Sequence, residues 1–248
     1  MVIPARNEAG HIGPLVASLL AAPVADAGIA LRGVTVADCG SSDATADRAR
    51  AAGAAVVPTD PADGRGRALR AGVAGARRRH PDADVLWLLH ADGHPPRTWP
   101  EDLAAVLADP SVVAGAFPLR FTLRGRRVGP WTRHKLHFAS MVNRLRYRRS
   151  GVYFGDQGLF VRVAALDAAG GVPDLPFMED VELCLALRRL GPVRLARHRM
   201  TTSPRRFLDH GVVTQLLKDW RLLRQHRRGT LPDAAAADYN ERPFQISD

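Results

Sequence analysis

Residues 88–96 read LLHADGHPP, an apolar run that stops at a histidine, an aspartate and two prolines. Pro95 and Pro96 follow Asp92 at once, so no helix starts there for this carboxylate to cap. A lone carboxylate at a strand end suits a divalent cation such as Mg2+, which takes few protein ligands and relies on phosphate oxygens. Three more groups follow apolar runs in the same way: Arg6, Asn7 and Glu8 after VIP, Asp38 after GVTVA, and His90 beside Asp92. Glu8 is equally suited to capping the helix that follows it, and Asp43 is read as a cap. A carboxylate pair, Glu179 and Asp180, opens a further helical pattern, where one can cap and the pair can serve as a general base. The stretch GRGR (64–67) fails as a dinucleotide fingerprint, because no strand directly precedes it and the third glycine is missing. Arg65 and Arg67 beside flexible glycines suit either a diphosphate or a solvated basic turn.

Strands and helices must alternate to present these groups together. The pattern gives strands at 2–4, 33–38, 54–57 and 84–90, and helices over 8–20, 42–53 and 66–79. Such alternation predicts βαβ units and a doubly wound, mostly parallel α/β sheet. Ligands of these sheets bind outside the carboxyl ends of the strands, where the polar groups lie. Beyond residue 110 the rhythm changes. SVVAGAFPLRFTL alternates like one antiparallel strand, and 132–147 reads as a basic helix. GVYFGDQGLFVRV has strand-like runs around a Gly-Asp-Gln-Gly turn, and MEDVELCLALRRLG is helical. Residues 211–228 form an amphipathic pattern, with Val213, Leu216, Leu217, Trp220 and Leu223 against arginines and Lys218. The pattern fits core packing or an interfacial helix. Residues 1–228 read as a single domain, split near 109 into two halves, and 229–248 as a loosely ordered tail.

With 46% hydrophobic residues in 248, the chain can bury a sizeable core, and no segment approaches a membrane span. No charged-then-apolar leader opens it, and Cys39 and Cys184 match no metal or redox spacing. A cytoplasmic protein with reduced thiols is expected. Lys and Arg number 35 against 25 acids, and no acid lies between Asp109 and Asp156. That basic interval implies an anionic partner, or else an arginine-rich codon bias.

Six stretches, VIPARNE, VADCGSSDAT, GRGRALRAG, LLHADGHPP, GDQGLFVR and FMEDVELCLALRRLG, stand in the order seen in family 2 glycosyltransferases. The chain resembles the small bacterial branch with His-Ala-Asp in place of Asp-X-Asp, which includes carotenoid-acid glycosyltransferase-like proteins. The resemblance covers residues 1 to about 228. It implies a GT-A fold, a nucleotide-sugar donor with a UDP-sugar favoured, Mg2+ or Mn2+, and inversion at the anomeric carbon. On the matching positions, Pro4, Arg6, Asn7, Glu8 and Asp38 would line the nucleoside pocket, with Arg67 near the diphosphate and His90 on the donor side. Asp92 would bind the metal, and Asp180, beside Glu179, would deprotonate the acceptor. Gly155, Asp156 and Gln157 would shape the acceptor side, and SPRRF (203–207) is similar to an acceptor-side element that would include Arg206. The resemblance extends to a lipid-like acceptor, and the basic interval with the amphipathic 211–228 pattern would then hold the chain peripherally at the inner face of the cell membrane. Three positions depart from the family pattern: Cys39 stands where a second acid is usual, His90 replaces an aspartate, and the first strand is cut short at Met1.

Two other readings compete. ADCGSSD could be the acidic strand-end loop of an adenosylmethionine-dependent methyltransferase, but it follows the second strand and is poor in glycine. A catalytically inactive GT-A protein that binds a nucleotide or another anion fits the same elements. Nucleic acid is not expected as a partner, because no RNA-binding motif accompanies the few aromatics of the basic interval (Trp131, Phe138, Tyr147, Tyr153, Phe154).

Overall fold

Four short apolar segments pair in parallel and set the frame: β1 (Val2–Ala5), β2 (Thr35–Asp38), β3 (Ala55–Pro58) and β4 (Val85–Leu88). The computed structural model describes residues 1–123, 128–175, 177–209 and 211–229, without the side chains of 146, 148–150, 205, 206 and 227. The expected tail beyond 229, Arg124, Arg126 and Arg127, and the side chains of Arg146, Arg148, Arg149 and Arg206 lie outside the described residues.

The strands continue into a seven-stranded sheet of order β3-β2-β1-β4-β7-β5-β8. Here β5 is Ala114–Ala116, β7 Leu159–Arg162 and β8 Val193–Leu195. Only β7 runs against its neighbours β4 and β5. Alternate side chains supply two cores. Ile3, Trp87 and Phe160 face one side with α1 (Ala9–Leu20), which contributes Ile12, Leu15, Val16 and Leu19 at helical spacing. Val2, Leu86, Leu88, Leu159 and Val161 face the other, with Leu69 and Val73 of α3 (Gly64–Arg79) and Leu183 and Leu187 of α7 (Glu179–Leu190). Helix α2 (Thr45–Ala51) packs on α1, and α6 (Val163–Ala168) on α7.

The expected first half holds within two or three residues per element, with one added α-helix; the helix expected over 42–53 is Thr45–Ala51, with Ala44 rather than Asp43 at its cap position. Helix α4 (Trp99–Leu107) begins seven residues after Asp92, behind a proline-rich entry. Pro100 sits in its first turn, where its missing N–H is not needed. The second half differs more. SVVAGAFPLRFTL is two strands, because Pro118 cannot donate to a ladder. Its first part is β5, and its second, β6 (Leu119–Phe121), pairs in parallel with β9 (Met200–Thr202) as a separate ribbon. Residues 151–154 are not a strand, and a short 3-10 turn at Gly155–Gln157 leads straight into β7. The basic helix extends to α5 (Pro130–Ser150). After the short α8 (Arg205–Asp209), α9 (Val212–Arg227) buries Val212, Gln215 and Leu222, whereas Val213, Leu217 and Trp220 of the expected apolar face are exposed. Cys39 and Cys184 are both buried and free.

Candidate active site

The carboxyl ends of β1, β2 and β4 open on one edge of the sheet. Ala5 pairs with Asp38 in register, so the Arg6–Glu8 turn stands beside the Asp38 loop. Asn7 takes a left-handed backbone (φ 53°), and its N–H donates to Ser41 Oγ at 3.0 Å, while its Oδ1 accepts from the Ser42 N–H at 2.9 Å. Asp38 is buried and accepts from the Ser41 hydroxyl at 2.5 Å. Glu8 is buried too; its N–H donates to Thr45 Oγ1 at 2.7 Å and its carboxylate meets His11 Nδ1 at 2.9 Å. Asp43 accepts from the Ala9 and Thr45 N–H groups and so ties both loops together. These bonds fix the two loops against each other, with Pro4 buried beneath them and Arg6 exposed.

Beyond β4, the Gly93 N–H donates to the His90 carbonyl at 3.0 Å and closes the turn that holds half-buried His90 and Asp92. Carboxylate and imidazole two residues apart are a donor set that a divalent transition ion accepts. Among the described residues no three His, Cys, Asp or Glu side chains gather into a metal cage. Asp92 and His90 would hold such a cation with few protein ligands, which is the situation in which phosphate oxygens supply the rest.

The antiparallel β7 brings the Gly155–Gln157 turn to this place. Leu88 pairs with Leu159, so the Gly155–Gln157 turn abuts the His90 turn. A Cβ on Gly155 would fall 2.4 Å from His90 Nε2 and 3.3 Å from Asp180 Oδ2, so glycine lets the three segments meet without displacing the His90 ring. The Gly155 N–H donates to Asp180 Oδ2 at 2.7 Å. Gln157 is buried, with its Nε2 donating to the Phe117 carbonyl and its Oε1 accepting from the Phe154 N–H. Asp156 is half-buried in the same turn.

Asp180 sits in the first turn of α7, where the helix dipole favours a negative charge. Met178 precedes the pair in a left-handed conformation (φ 61°) while buried, a strained turn that re-aims the chain. Asp180 Oδ1 accepts from the Val181 N–H at 2.8 Å. Arg65 spans both acids: Nε donates to Glu179 Oε1 at 2.8 Å and Nη2 to Asp180 Oδ2 at 3.3 Å. Burial, with the neighbouring Asp180 charge adding to it, raises the Glu179 carboxyl above the usual carboxylate range; the Arg65 guanidinium opposes that rise. Its second oxygen, Oε2, is buried with no hydrogen-bond partner.

Every sequence-derived candidate with a described side chain except Arg67 lies in these two clusters. Arg67 is half-exposed and donates to Asp174 at 2.9 Å, on the outer side of α3. Arg65 is instead the arginine that faces the acids, and Gly66 lets α3 approach them: a Cβ there would lie 2.0 Å from the Leu175 carbonyl oxygen. Sequence reading gave Arg65 no acidic partner, since 114 residues separate it from Glu179.

A model described as glycosyl transferase family 2 matches residues 1–167. The chain belongs to that family. It is a glycosyltransferase, and its mostly parallel sheet is the GT-A fold. Among solved structures, this family 2 chain is similar to a Pyrobaculum calidifontis mannosyltransferase in complex with GDP-Man and Mn2+ (TM-score 0.57, 19% identity). It spans 55% of that longer chain, which covers 82% of this one. It is also similar to Mycobacterium tuberculosis glucosyl-3-phosphoglycerate synthase with Mn2+ and UDP-glucose (TM-score 0.53, 20% identity, 94% of this chain and 79% of that one). A third neighbour is mannosyl-3-phosphoglycerate synthase from Rubrobacter xylanophilus (TM-score 0.53, 17% identity, 94% and 75%). No curated protein matches the chain.

Proposed function

We propose that this glycosyltransferase moves a sugar from a nucleotide-sugar donor, a UDP-sugar first, to an acceptor hydroxyl or carboxyl with inversion at the anomeric carbon. The observation that carries the reading is the meeting of His90, Gly155 and Asp180 at one sheet edge, with Asp38 and the Arg6–Glu8 turn beside it. In this reading residues 1–109 hold the donor and residues 110–228 the acceptor, within one domain. Asp92, with His90, would hold a divalent cation, whose chemistry here would be to offset the charge of a nucleoside diphosphate. Asp38, Asn7 and the Arg6 side chain bind the nucleoside, and the Arg65 guanidinium can turn from the acids to the diphosphate. Asp180 takes the acceptor proton on Oδ2, while the Val181 N–H keeps Oδ1 engaged. Gly155, Asp156 and Gln157 bound the acceptor space, and the acceptor is lipid-like, taken at a membrane surface. Neighbours with Mn2+ and a nucleotide-sugar support the donor side.

Titration calorimetry with UDP and with GDP, each with and without Mn2+, tests this on wild type and Asp92→Ala. The expected result is metal-dependent binding of one nucleotide, UDP in first place, lost in the variant. Binding of neither nucleotide under any metal condition would overturn the donor site. A second reading, a silent nucleotide- or anion-binding protein, is favoured by one observation: Gly155 and Arg65 both already occupy Asp180 Oδ2. It requires nucleotide binding without turnover.

A further inference from the structure

Helices α5 and α9 pack along a seam of Leu136, Ala139 and Val212, with Leu216 and Phe207 against it. Among the described residues, none covers their outer faces. On α5, Trp131, Phe138, Met141 and Leu145 are 54–75% exposed, within an arc of about 80° at 100° per residue. On α9, Val213, Leu217 and Trp220 are 51–62% exposed, within an arc of about 60°. Phe138 and Val213 line one shallow groove between the helices, with Lys135 at its edge, so the two stripes are continuous. Seven of the nine exposed large hydrophobic residues in the described structure belong to this one face, a concentration that marks an interaction surface.

The charges around it choose the occupant. Helix α5 has no acidic residue, and Arg133, Lys135 and Arg144 on it are exposed. Helix α9 exposes Arg221 and Arg224 against a single acid, Asp219, which accepts from Gln215 at 2.7 Å. The Arg224 guanidinium lies 5.2 Å from the Trp220 ring centroid. A second copy docked by a two-fold axis would bring cations onto cations. Aromatic and aliphatic side chains ringed by arginine and lysine are instead what binds an anionic lipid surface. No helix among the described residues is long and apolar enough to cross a bilayer, so the face would lie on it.

We propose that the α5–α9 face seats the protein on anionic phospholipid, with the tryptophans and Phe138 entering the headgroup layer. The orientation follows from connections to the site. Helix α5 is capped by Gly151, four residues before Gly155, and Leu222 and Leu223 of α9 pack with Val152, Met178 and Val181. His226 of α9 also meets Glu182 of α7 at 2.6 Å. The seated face thus holds the acceptor turn and the Asp180 helix close to the lipid. That orientation rests on the acceptor reading above, whereas the docking itself needs no reaction.

The test is sedimentation of the full chain with vesicles of phosphatidylcholine alone and of equal parts phosphatidylcholine and phosphatidylglycerol. Wild type is expected to bind the mixed vesicles, more weakly as salt rises, and to leave the neutral ones in solution. The triple variant Trp131→Ser, Phe138→Ser, Trp220→Ser is expected to lose about tenfold or more in affinity. Its circular dichroism and its nucleotide titration should match wild type, since all three side chains are exposed. Absence of wild-type binding to anionic vesicles overturns the proposal, as does equal binding by the variant. A dimer in analytical ultracentrifugation that the triple variant abolishes would give the face to a second copy and overturn it too. The nucleotide titration is read separately, so a failed donor site and a failed membrane face give different results.

Discussion

Replacing Arg65 by methionine would leave Glu179 and Asp180 facing each other without their shared cation. The Arg65 side chain is 20% exposed, and those of Glu179 and Asp180 are 2% and 10% exposed. Removing one partner of a fully buried pair costs about 3–5 kcal/mol, because a charge is left uncompensated. Partial exposure of Arg65, and the option for Glu179 to take up a proton, bring the expected loss at neutral pH to about 2–4 kcal/mol. For a chain of this size that is a fall in Tm of roughly 4–16 °C. The loss must depend on pH in a defined direction. Glu179 has a native pKa above its unfolded value of 4.5, so the native state holds a proton that the unfolded chain has already released. Stability therefore falls as pH rises from 4.5 to the native value. Removing Arg65 raises that native value further and extends the window upward. Scanning calorimetry of wild type and Arg65→Met from about pH 5 to about pH 8 should show a Tm gap that widens with pH. Arg67→Met, whose pair with Asp174 is solvated on both sides, should stay within about 0.5 kcal/mol at every pH. A constant gap, or an Arg65 variant as stable as wild type, would refute the account of the acid pair.

Asp180→Asn should keep nucleotide binding in calorimetry and lose roughly 10²–10⁴-fold in sugar transfer, the contribution of a general base; unchanged turnover would remove Asp180 from that role. Gly66→Ala forces a Cβ to within 2.0 Å of the Leu175 carbonyl oxygen and 3.0 Å of Glu179 Cβ. It should cost about 1–3 kcal/mol in urea denaturation, and a neutral result would mean that α3 does not approach as described. Burial pushes the Cys39 thiol up from 9.0 to about 11. In the native protein it should react with a thiol reagent roughly a hundredfold more slowly than in the unfolded chain, a difference that peptide mapping of the labelled site can read.

The first half was legible because each of its elements is local. Val2–Ala5, Thr35–Asp38 and Val85–Leu88 are apolar runs that polar turns end abruptly, and α1 and α3 carry their own helical spacing. The carboxylates at those ends were legible for the same reason, since an open parallel sheet has one place for a site. In the second half, non-local pairing decides. Strands β8 and β9 have three residues each and exist through partners some 80 residues away in sequence. Pro118 splits one apparent strand between two sheets. The periodicity of α9 marked an apolar stripe correctly but not its direction, because Val213 and Trp220 look outward while Gln215 is buried. The link from Arg65 to Glu179 had no local signature at all.

The reversed strand has a consequence for synthesis. Strands β1 to β4 and the helices between them are complete once residue 88 has left the ribosome, but the outer edge of β4 has no partner until Leu159–Arg162 emerges. At ordinary translation speed that interval is about 4–14 s, long compared with the folding of local α/β units. Throughout it Val85, Leu86, Trp87 and Leu88 form an open, apolar strand edge, a template for pairing with another nascent chain. Crowded polysomes, more than the finished protein, are therefore where this sequence is most exposed to aggregation, and slow translation between residues 90 and 160 would lengthen the risk.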